Sequence, residues 1–299
     1  MNLREMLEEN KIYISDGAWG TELAKKGIGP GKCPELLNVE NRKVLDEIAL
    51  SYVEAGANFI LTNTFGGNPY KLRKYGVEDR LEELNEAGVR ISKDAAEGRA
   101  LVLGSIGPSG EFLAPLGLVT KKEMIAGFVR QVQAFIAGGA DAVIIESMTD
   151  LNEILCALKA VKDNSDYGVI CSMTFDKGLQ GYATMMGVKP ADAVHALEKA
   201  GAEIVGSNCG WGIEEIIEVA RIMRAETQLP LWFKPNAGMP ELIDGETVYR
   251  HTPEYMASKI PELIDAGAKV VGGCCGSTPD HIRKIREIVN AINILNQPD

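Results

Sequence analysis

The fold is decided by four similar stretches, EAGANFI (54–60), AGGADAV (137–143), KAGAEIV (199–205) and DAGAKVV (265–271). In each stretch a helix-like segment reaches a Gly of the kind that ends helices, and the chain then enters a short apolar run. This pattern is typical of a helix, a tight turn and a buried parallel strand. The copies lie about 60 to 85 residues apart, which leaves room for about two strand–helix units in each interval.

Apolar runs between these stretches complete a set of eight predicted strands, at 11–15, 58–62, 101–105, 142–146, 168–174, 203–207, 230–234 and 269–273. Helical periodicity fills the intervals, for example at 124–136, 151–161, 213–223 and 282–292. Eight strands that alternate with helices predict an α/β protein with the (β/α)8 TIM-barrel fold. An open doubly wound sheet is the alternative, but it usually has fewer strands and a Gly-rich first turn. Since no Pro- or Ser-rich linker interrupts the pattern, we expect a single domain over residues 1–299.

Composition and charge are those of an ordinary globular chain rather than one that binds polyanions. The 299 residues are 45% hydrophobic and 24% charged, and 31 basic against 42 acidic residues give a net charge of −11. This balance argues against nucleic acid or an acidic membrane surface as the partner. No apolar run approaches the roughly 18 residues needed to cross a bilayer, and the N-terminus lacks the pattern of a secretory signal. We therefore expect a cytoplasmic protein whose six Cys are free thiols or metal ligands.

The residues that end or directly follow the predicted strands are the candidates for an active site, because barrel enzymes place their sites at the carboxyl ends of the strands. They are Asp16-Gly17, Asn63-Thr64, Ser105, Glu146, Met173-Thr174, Asn208-Cys209, 234–236 and Cys274-Cys275. Three of the six cysteines belong to this set, and three thiolates with an open fourth position are a typical catalytic zinc site. The alternative is that Cys209, Cys274 and Cys275 are small core residues, since free Cys is often buried.

Several of these segments resemble one known family over nearly the whole chain. The matching segments are DGAWGTEL (16–23), TNTFGGN (62–68), GSIGP (104–108), ESMTDLNE (146–153), SNCG (207–210), KPNAG (234–238) and GGCCGSTPDHI (272–282). They resemble the homocysteine S-methyltransferases, whose homocysteine-binding barrel occurs in cobalamin-dependent methionine synthase and in betaine- or S-methylmethionine-dependent enzymes. The combination of SNCG with GGCCG is the most specific part of the resemblance.

The resemblance implies a barrel that binds homocysteine, with Zn²⁺ held by Cys209, Cys274 and Cys275 and the substrate sulfur as a fourth ligand. The implied reaction transfers a methyl group to the homocysteine thiol and forms methionine. This chemistry suits the ligands, because zinc deprotonates a thiol that coordinates it and three thiolates keep the incoming sulfur nucleophilic. Histidine ligands would suit water activation better, and none of the three His follows a predicted strand.

Two carboxylates at the ends of predicted strands, Asp16 and Glu146, could hold the ammonium group of an amino acid substrate. The resemblance implies this role towards homocysteine. The alternatives are a turn residue for Asp16 and helix capping for Glu146. The turn after Asp16 offers backbone N–H groups to the substrate carboxylate. Its residues are Gly17, Ala18, Trp19 and Gly20.

Two residues at the end of the seventh predicted strand have competing interpretations. The resemblance places Asn236 beside the metal as an oxygen ligand when substrate is absent, whereas the alternative is a turn Asn bonded to its own backbone. Lys234 stands where Schiff-base enzymes carry their amine, so a barrel lyase is a rival function, unless this side chain points into the barrel base or to solvent. A third hypothesis is a non-enzymatic thiol- or metal-binding protein, which would hold zinc and transfer no methyl group.

The methyl donor is the least constrained part of the function. Neither a second barrel for a folate donor nor the Asp-x-His-x-x-Gly motif of a corrinoid module occurs in the 299 residues. We therefore expect a methylated corrinoid on a separate protein. The alternatives are a small methyl-onium or sulfonium donor, such as betaine or S-methylmethionine, and another thiol as the acceptor. The 175–188 loop lacks the aromatic pairs that cage a quaternary ammonium group, which favours the corrinoid.

Overall fold

An eight-stranded parallel sheet forms the centre of the computed structural model, which describes residues 2–29, 31–243 and 246–296. Its strands are β1 (Tyr13–Ile14), β2 (Phe59–Leu61), β3 (Leu101–Ile106), β4 (Ala142–Met148), β5 (Val169–Met173), β6 (Ile204–Cys209), β7 (Leu231–Pro235) and β8 (Ala268–Val271). Neighbours in the chain are neighbours in the sheet, and β8 pairs with β1. A parallel bridge between Ser15 and Phe59 joins β1 to β2. The sheet therefore closes on itself, and the predicted single-domain (β/α)8 barrel is confirmed.

In the part of the chain that the structure describes, eight helices cover the outside of the barrel, one after each strand. They are α1 (Arg42–Ala55), α2 (Leu81–Ala96), α3 (Lys121–Gly138), α4 (Leu151–Asn164), α5 (Pro190–Lys199), α6 (Ile213–Glu226), α7 (Pro253–Asp265) and α8 (Pro279–Leu295). Shorter helical segments are Leu3–Glu8, Trp19–Lys25, Pro34–Leu36, Leu37–Glu40, Pro69–Arg73 and Glu78–Arg80. Within the described ranges, no helix is both long and apolar enough to cross a membrane.

Glycine explains why the four repeated stretches mark the helix-to-strand turns. Gly56, Gly139, Gly201 and Gly267 all have positive φ, between 82° and 106°. This left-handed conformation ends a helix and turns the chain into the next strand, and side chains with a Cβ rarely adopt it. The repeated Gly in the sequence therefore marks a left-handed backbone conformation that recurs at the helix-to-strand turns around the barrel.

The inside of the barrel is a packed core rather than a channel. Phe59 contacts both Tyr13 and Trp232, with ring centroids 6.0 and 5.3 Å apart. Leu3 and Met6 of the first short helix belong to the same buried cluster. A ligand therefore has room only at the other end, where the loops after the strands meet.

Two β-hairpins in these loops were not predicted from the sequence. One pairs Asp176–Gly178 with Gly181–Ala183 after β5, and the other pairs Glu241–Ile243 with Glu246–Val248 after β7. Their strands are three residues long and largely exposed, so no buried face produces an apolar alternation that sequence analysis could detect. Bounds also differ, because β1 has two residues instead of the predicted 11–15 and β6 continues to Cys209.

Candidate functional site

Three cysteine sulfurs meet at the carboxyl ends of the strands. Cys209 is the last residue of β6, and Cys274 and Cys275 follow β8. The Sγ atoms of Cys209 and Cys274 are 3.0 Å apart, and all three sulfurs lie within 4.8 Å of one another. All three residues are partly exposed, which separates them from the buried core cysteines Cys156 and Cys171. The structure thus brings together a three-thiol cluster that could hold a metal ion.

The backbone beside the cluster adopts an uncommon conformation. Cys209 has φ 64° and Ser147, at the end of β4, has φ 58°. Each left-handed residue of this kind costs about 1–2 kcal/mol, so the surrounding contacts must hold it in place. One such contact is the hydrogen bond from the Ser147 backbone N–H to Asn208 Oδ1, at 2.9 Å.

The cluster favours a single negative charge. Hydrogen bonds from Cys209 and Cys274 hold the pKa of the Cys275 thiol far below its usual value, and a hydrogen bond with Tyr249 lowers it further. Hydrogen bonds to Cys274 and Cys275, together with burial, raise the pKa of Cys209 well above its usual value. Thiolates this close repel one another, so a bound cation would favour the ionised form of all three sulfurs.

Asp16 and Lys234 form a buried ion pair beneath the cavity. Lys234 Nζ donates to Asp16 Oδ1 at 2.7 Å, with side chains 3% and 0% exposed. Asp16 Oδ2 accepts from Trp19 Nε1 at 2.9 Å and from the Leu61 backbone N–H at 2.8 Å. Both carboxylate oxygens are therefore engaged by the chain itself, and Asp16 is not among the residues that line the cavity.

The environment of Lys234 opposes its use as a Schiff-base amine. Burial lowers the pKa of this lysine, but the carboxylates of Asp16 and Glu146 outweigh the burial effect, so the pKa is raised. A nucleophilic lysine needs a lowered pKa that frees its lone pair at neutral pH. This cation instead balances the two carboxylates.

The three thiols share one cavity of about 240 Å³ with Glu146. The cavity is lined by Gly17, Ala18, Trp19, Gly20, Thr21, Leu23, Pro34, Glu35, Leu61, Thr62, Asn63, Phe65, Ser105, Glu146, Ser147, Cys209, Lys234, Cys274 and Cys275. Glu146 Oε1 accepts from Ser105 Oγ at 2.7 Å, and burial raises the pKa of Glu146 to about 7. A Cβ on Gly17 would lie 2.8 Å from Tyr52 and 2.9 Å from Ser277, so the turn after Asp16 packs this closely only with glycine.

Asn236 bridges the loops that carry the cysteines. Its Nδ2 donates to the carbonyl of Gly210 at 2.6 Å, and the next residue, Ala237, donates its backbone N–H to the Cys275 carbonyl at 2.9 Å. The side chain does not bond to its own turn, which was the alternative to a metal-side role. Its Oδ1 is buried without a hydrogen-bond partner, so a free oxygen ligand remains at this point.

The other residues after predicted strands have structural contacts. Thr64 is fully buried and donates to the Ser105 carbonyl at 2.8 Å, and Thr174 donates to the Asn208 carbonyl at 3.0 Å. Sequence reasoning missed Ser147 and Tyr249 as neighbours of the thiols. Ser147 was missed because β4 was predicted to end at Glu146, whereas nothing in the sequence pattern of the loop around Tyr249 indicates its contact with Cys275.

Comparison with known proteins adds family information to this geometry. The family model described as homocysteine S-methyltransferase matches residues 13–289. A methionine synthase from Mycobacterium leprae (strain TN) is 32% identical over 298 residues, which cover 95% of this chain and 25% of that protein. A methionine synthase from Mycobacterium tuberculosis (strain ATCC 25618 / H37Rv) is 31% identical over 304 residues, covering 97% of this chain and 25% of that protein. The chain therefore spans about a quarter of the length of these relatives.

Solved structures support the fold. The metallated form of the homocysteine methyltransferase MmuM from Escherichia coli superimposes with a TM-score of 0.80 at 24% sequence identity, covering 95% of this chain and 99% of that one. Its apo form gives a TM-score of 0.75 at the same identity, over 96% of this chain and 99% of that one. At this level of identity the comparison establishes a shared barrel.

Proposed function

The chain belongs to the homocysteine S-methyltransferase family, and from this membership we propose that it transfers a methyl group to the thiol of homocysteine to form methionine. The observation that carries the proposal is the shared cavity, in which three thiols and the buried carboxyl of Glu146 lie together. A substrate that has both a thiol and an ammonium group matches these two features. Another thiol with an amino group remains the alternative acceptor.

We propose Zn²⁺ as the metal, held by Cys209, Cys274 and Cys275. Tetrahedral zinc with Zn–S distances of about 2.3 Å separates its sulfurs by roughly 3.7 Å, and the separations here run from 3.0 Å to at most 4.8 Å. The donor set therefore fits. Bound zinc would keep the acceptor thiol deprotonated at neutral pH. Asn236 Oδ1, which has no hydrogen-bond partner, is the proposed fourth ligand in the absence of substrate.

The chain's own residues would bind and orient the acceptor. We propose that Glu146 receives the ammonium group and that Asp16, whose charge is paired with Lys234, holds Trp19 of the cavity wall in place by accepting from its Nε1. The turn of Gly17, Ala18, Trp19 and Gly20 lines the same cavity and would receive the substrate carboxylate. In the transfer, the acceptor loses its thiol proton to solvent, and its sulfur lone pair forms the new S–CH₃ bond. The electron pair of the donor–methyl bond stays with the donor.

We propose a methylated corrinoid on a separate protein as the donor. The loops after β3, β5, β6 and β7 carry exposed apolar side chains, here called the apolar rim, at Phe112, Leu116, Leu179, Met185, Trp211, Met239 and Leu242. Exposed apolar groups around a site favour a macromolecular partner. A small onium donor would instead need an enclosed aromatic cage, and of the lining residues only Trp19 and Phe65 are aromatic.

A donor panel tests the proposed function. Zinc-loaded protein and homocysteine are incubated with methylcobalamin, betaine, S-methylmethionine or dimethyl sulfide, and methionine is measured. We expect methionine above background with methylcobalamin, and none from the Cys275→Ser variant with any donor. Faster turnover with betaine or S-methylmethionine would contradict the corrinoid proposal. No product with any donor, despite bound zinc, would favour the non-enzymatic hypothesis.

A further inference from the structure

Asn208 is a fully buried amide at the point where β4, β5 and β6 end. Its Oδ1 accepts from the Ser147 backbone N–H at 2.9 Å and from Ser172 Oγ at 2.6 Å. Its Nδ2 donates to Ser147 Oγ at 2.7 Å. One side chain therefore ties three strand ends together, directly before the first cysteine of the cluster.

The same amide faces the sulfurs with its nitrogen. Nδ2 lies 3.6 Å from Cys209 Sγ and 3.7 Å from Cys274 Sγ, which is within the range of an N–H···S hydrogen bond. The Ser147 backbone N–H determines the orientation of the Asn208 amide. A backbone N–H can only donate, so its partner must be Oδ1 and not Nδ2. The amide has two N–H groups. One N–H group donates to Ser147 Oγ, and the other is directed towards the sulfurs of Cys209 and Cys274.

These contacts assign Asn208 a role that goes beyond packing. Resting on the proposed function, we propose that Asn208 is a positioning residue that donates an N–H···S hydrogen bond to the paired sulfurs of Cys209 and Cys274 and thereby holds them in place for metal binding. Three thiolates concentrate negative charge in a largely buried place, and a donor aimed at two of them reduces their mutual repulsion. Contacts of this kind around metal ligands are commonly worth about 10- to 100-fold in metal affinity.

The Asn208→Asp variant replaces the N–H donor with a carboxylate oxygen, which also brings a negative charge close to the sulfurs. Aspartate has nearly the same shape and keeps an acceptor for Ser147 and Ser172, but it presents an oxygen instead of an N–H group to the sulfurs. Ser172→Ala is the matched control, because it removes the 2.6 Å bond to Oδ1 and leaves the N–H donor in place. Asn208→Ser is a second variant, which removes the amide N–H donor without adding a negative charge, so an effect shared by both variants comes from the loss of the amide donor.

Two measurements read the effect without using activity. Zinc affinity is measured by competition with a chromophoric chelator, and the sulfur-to-metal charge-transfer band is recorded after substitution with Co²⁺. We expect Asn208→Asp and Asn208→Ser to lower zinc affinity about 10- to 100-fold and to shift the band, whereas Ser172→Ala matches the wild-type protein in both. Circular dichroism and the melting temperature establish that each variant is folded.

The outcomes separate this inference from the proposed function. Wild-type affinity and an unshifted band in the folded Asn208 variants would overturn the positioning role. So would an equal loss in Ser172→Ala, because that result would mean that any damage to the strand ends weakens the site. A wild-type protein that binds zinc but transfers no methyl group would refute the proposed activity. The zinc affinities of the Asn208 variants would still test the positioning role. Failure of the wild type to bind zinc would refute both.

Discussion

Glu146 has a carboxyl group that is half ionised near neutral pH, because burial raises its pKa to about 7. Only the carboxylate can hold an ammonium group. As pH rises through about 7, the fraction of carboxylate grows, and we expect the KM for homocysteine to fall and then level off. The measurement is KM for homocysteine against pH from about one unit below to one unit above this value, at saturating zinc. In Glu146→Gln this pH dependence should disappear and KM should be raised at every pH.

Glu153→Gln is the matched control for this prediction. Glu153 is also buried, at 5% exposed, and burial raises its pKa. However, it accepts from the Ser109 backbone N–H and does not line the cavity. The pH dependence of KM should therefore survive in this variant. If Glu146→Gln keeps the wild-type pH dependence, the ammonium group is bound elsewhere.

The three cysteines should hold about one zinc per chain, and each should be needed for it. We expect Cys209→Ser, Cys274→Ser and Cys275→Ser to lose most of the metal, as measured by elemental analysis after dialysis. Cys156→Ala is the control, because Cys156 is buried on α4, away from the cluster. Zinc retention should also fall as pH is lowered, since protons compete for the thiolates. Full retention of zinc in any two of the serine variants would contradict the assignment of these cysteines as zinc ligands.

Sequence reasoning at this scale found residue types and chain positions, but not the contacts of individual side chains. Cys209 and Cys274 could be placed together because strand ends of a barrel share one face. The engagement of both Asp16 oxygens depends on Lys234, 218 positions away in the chain, and on the backbone of Leu61. Long-range pairing of this kind leaves no periodic signal in one sequence.

At the scale of elements, apolar runs predicted the barrel strands because both faces of those strands are buried. The hairpins after β5 and β7 lack this signal, because their strands are short and largely exposed. Leu179 and Leu242 are strongly exposed on them. Exposed leucines contribute little to the stability of the isolated chain, so a partner surface is the physical reason we propose for them.

The hairpin leucines should affect the kinetics only when the methyl donor is bound to a protein. We expect the double variant Leu179→Ser/Leu242→Ser to raise KM for a methylcorrinoid protein about fivefold or more, with KM for homocysteine and turnover with free methylcobalamin unchanged. Leu295→Ser is the control, because Leu295 is equally exposed at the end of α8, outside these loops. The measurement is steady-state kinetics with each donor. If the double variant and the wild type have equal kinetics with the protein-bound donor, the apolar rim is not part of the donor interface.

At the scale of the whole molecule, the three-thiol cluster and the interior core lie in different parts of the barrel. The interior cluster of Phe59, Trp232 and their neighbours is fully buried below the cavity. The thiols lie at the carboxyl ends of β6 and β8 and are partly exposed. Zinc fingers depend on their metal because they have almost no other core, whereas this barrel has a core formed by eight strands and their helices.

Removing zinc should therefore leave the barrel folded. After chelation we expect a far-UV circular dichroism spectrum close to that of the zinc-loaded protein, with a melting temperature that falls by a few degrees because a bound ligand stabilises the state that binds it. The Cys209→Ser variant should show the same spectrum without chelation, which controls for damage by the chelator. Local loss of order at Cys209, where the backbone is held at φ 64°, is compatible with this outcome, since such strain relaxes without unfolding the strands. Loss of the helical signal on chelation would mean instead that the metal is structural, and the proposal that it activates the acceptor thiol would fail with it.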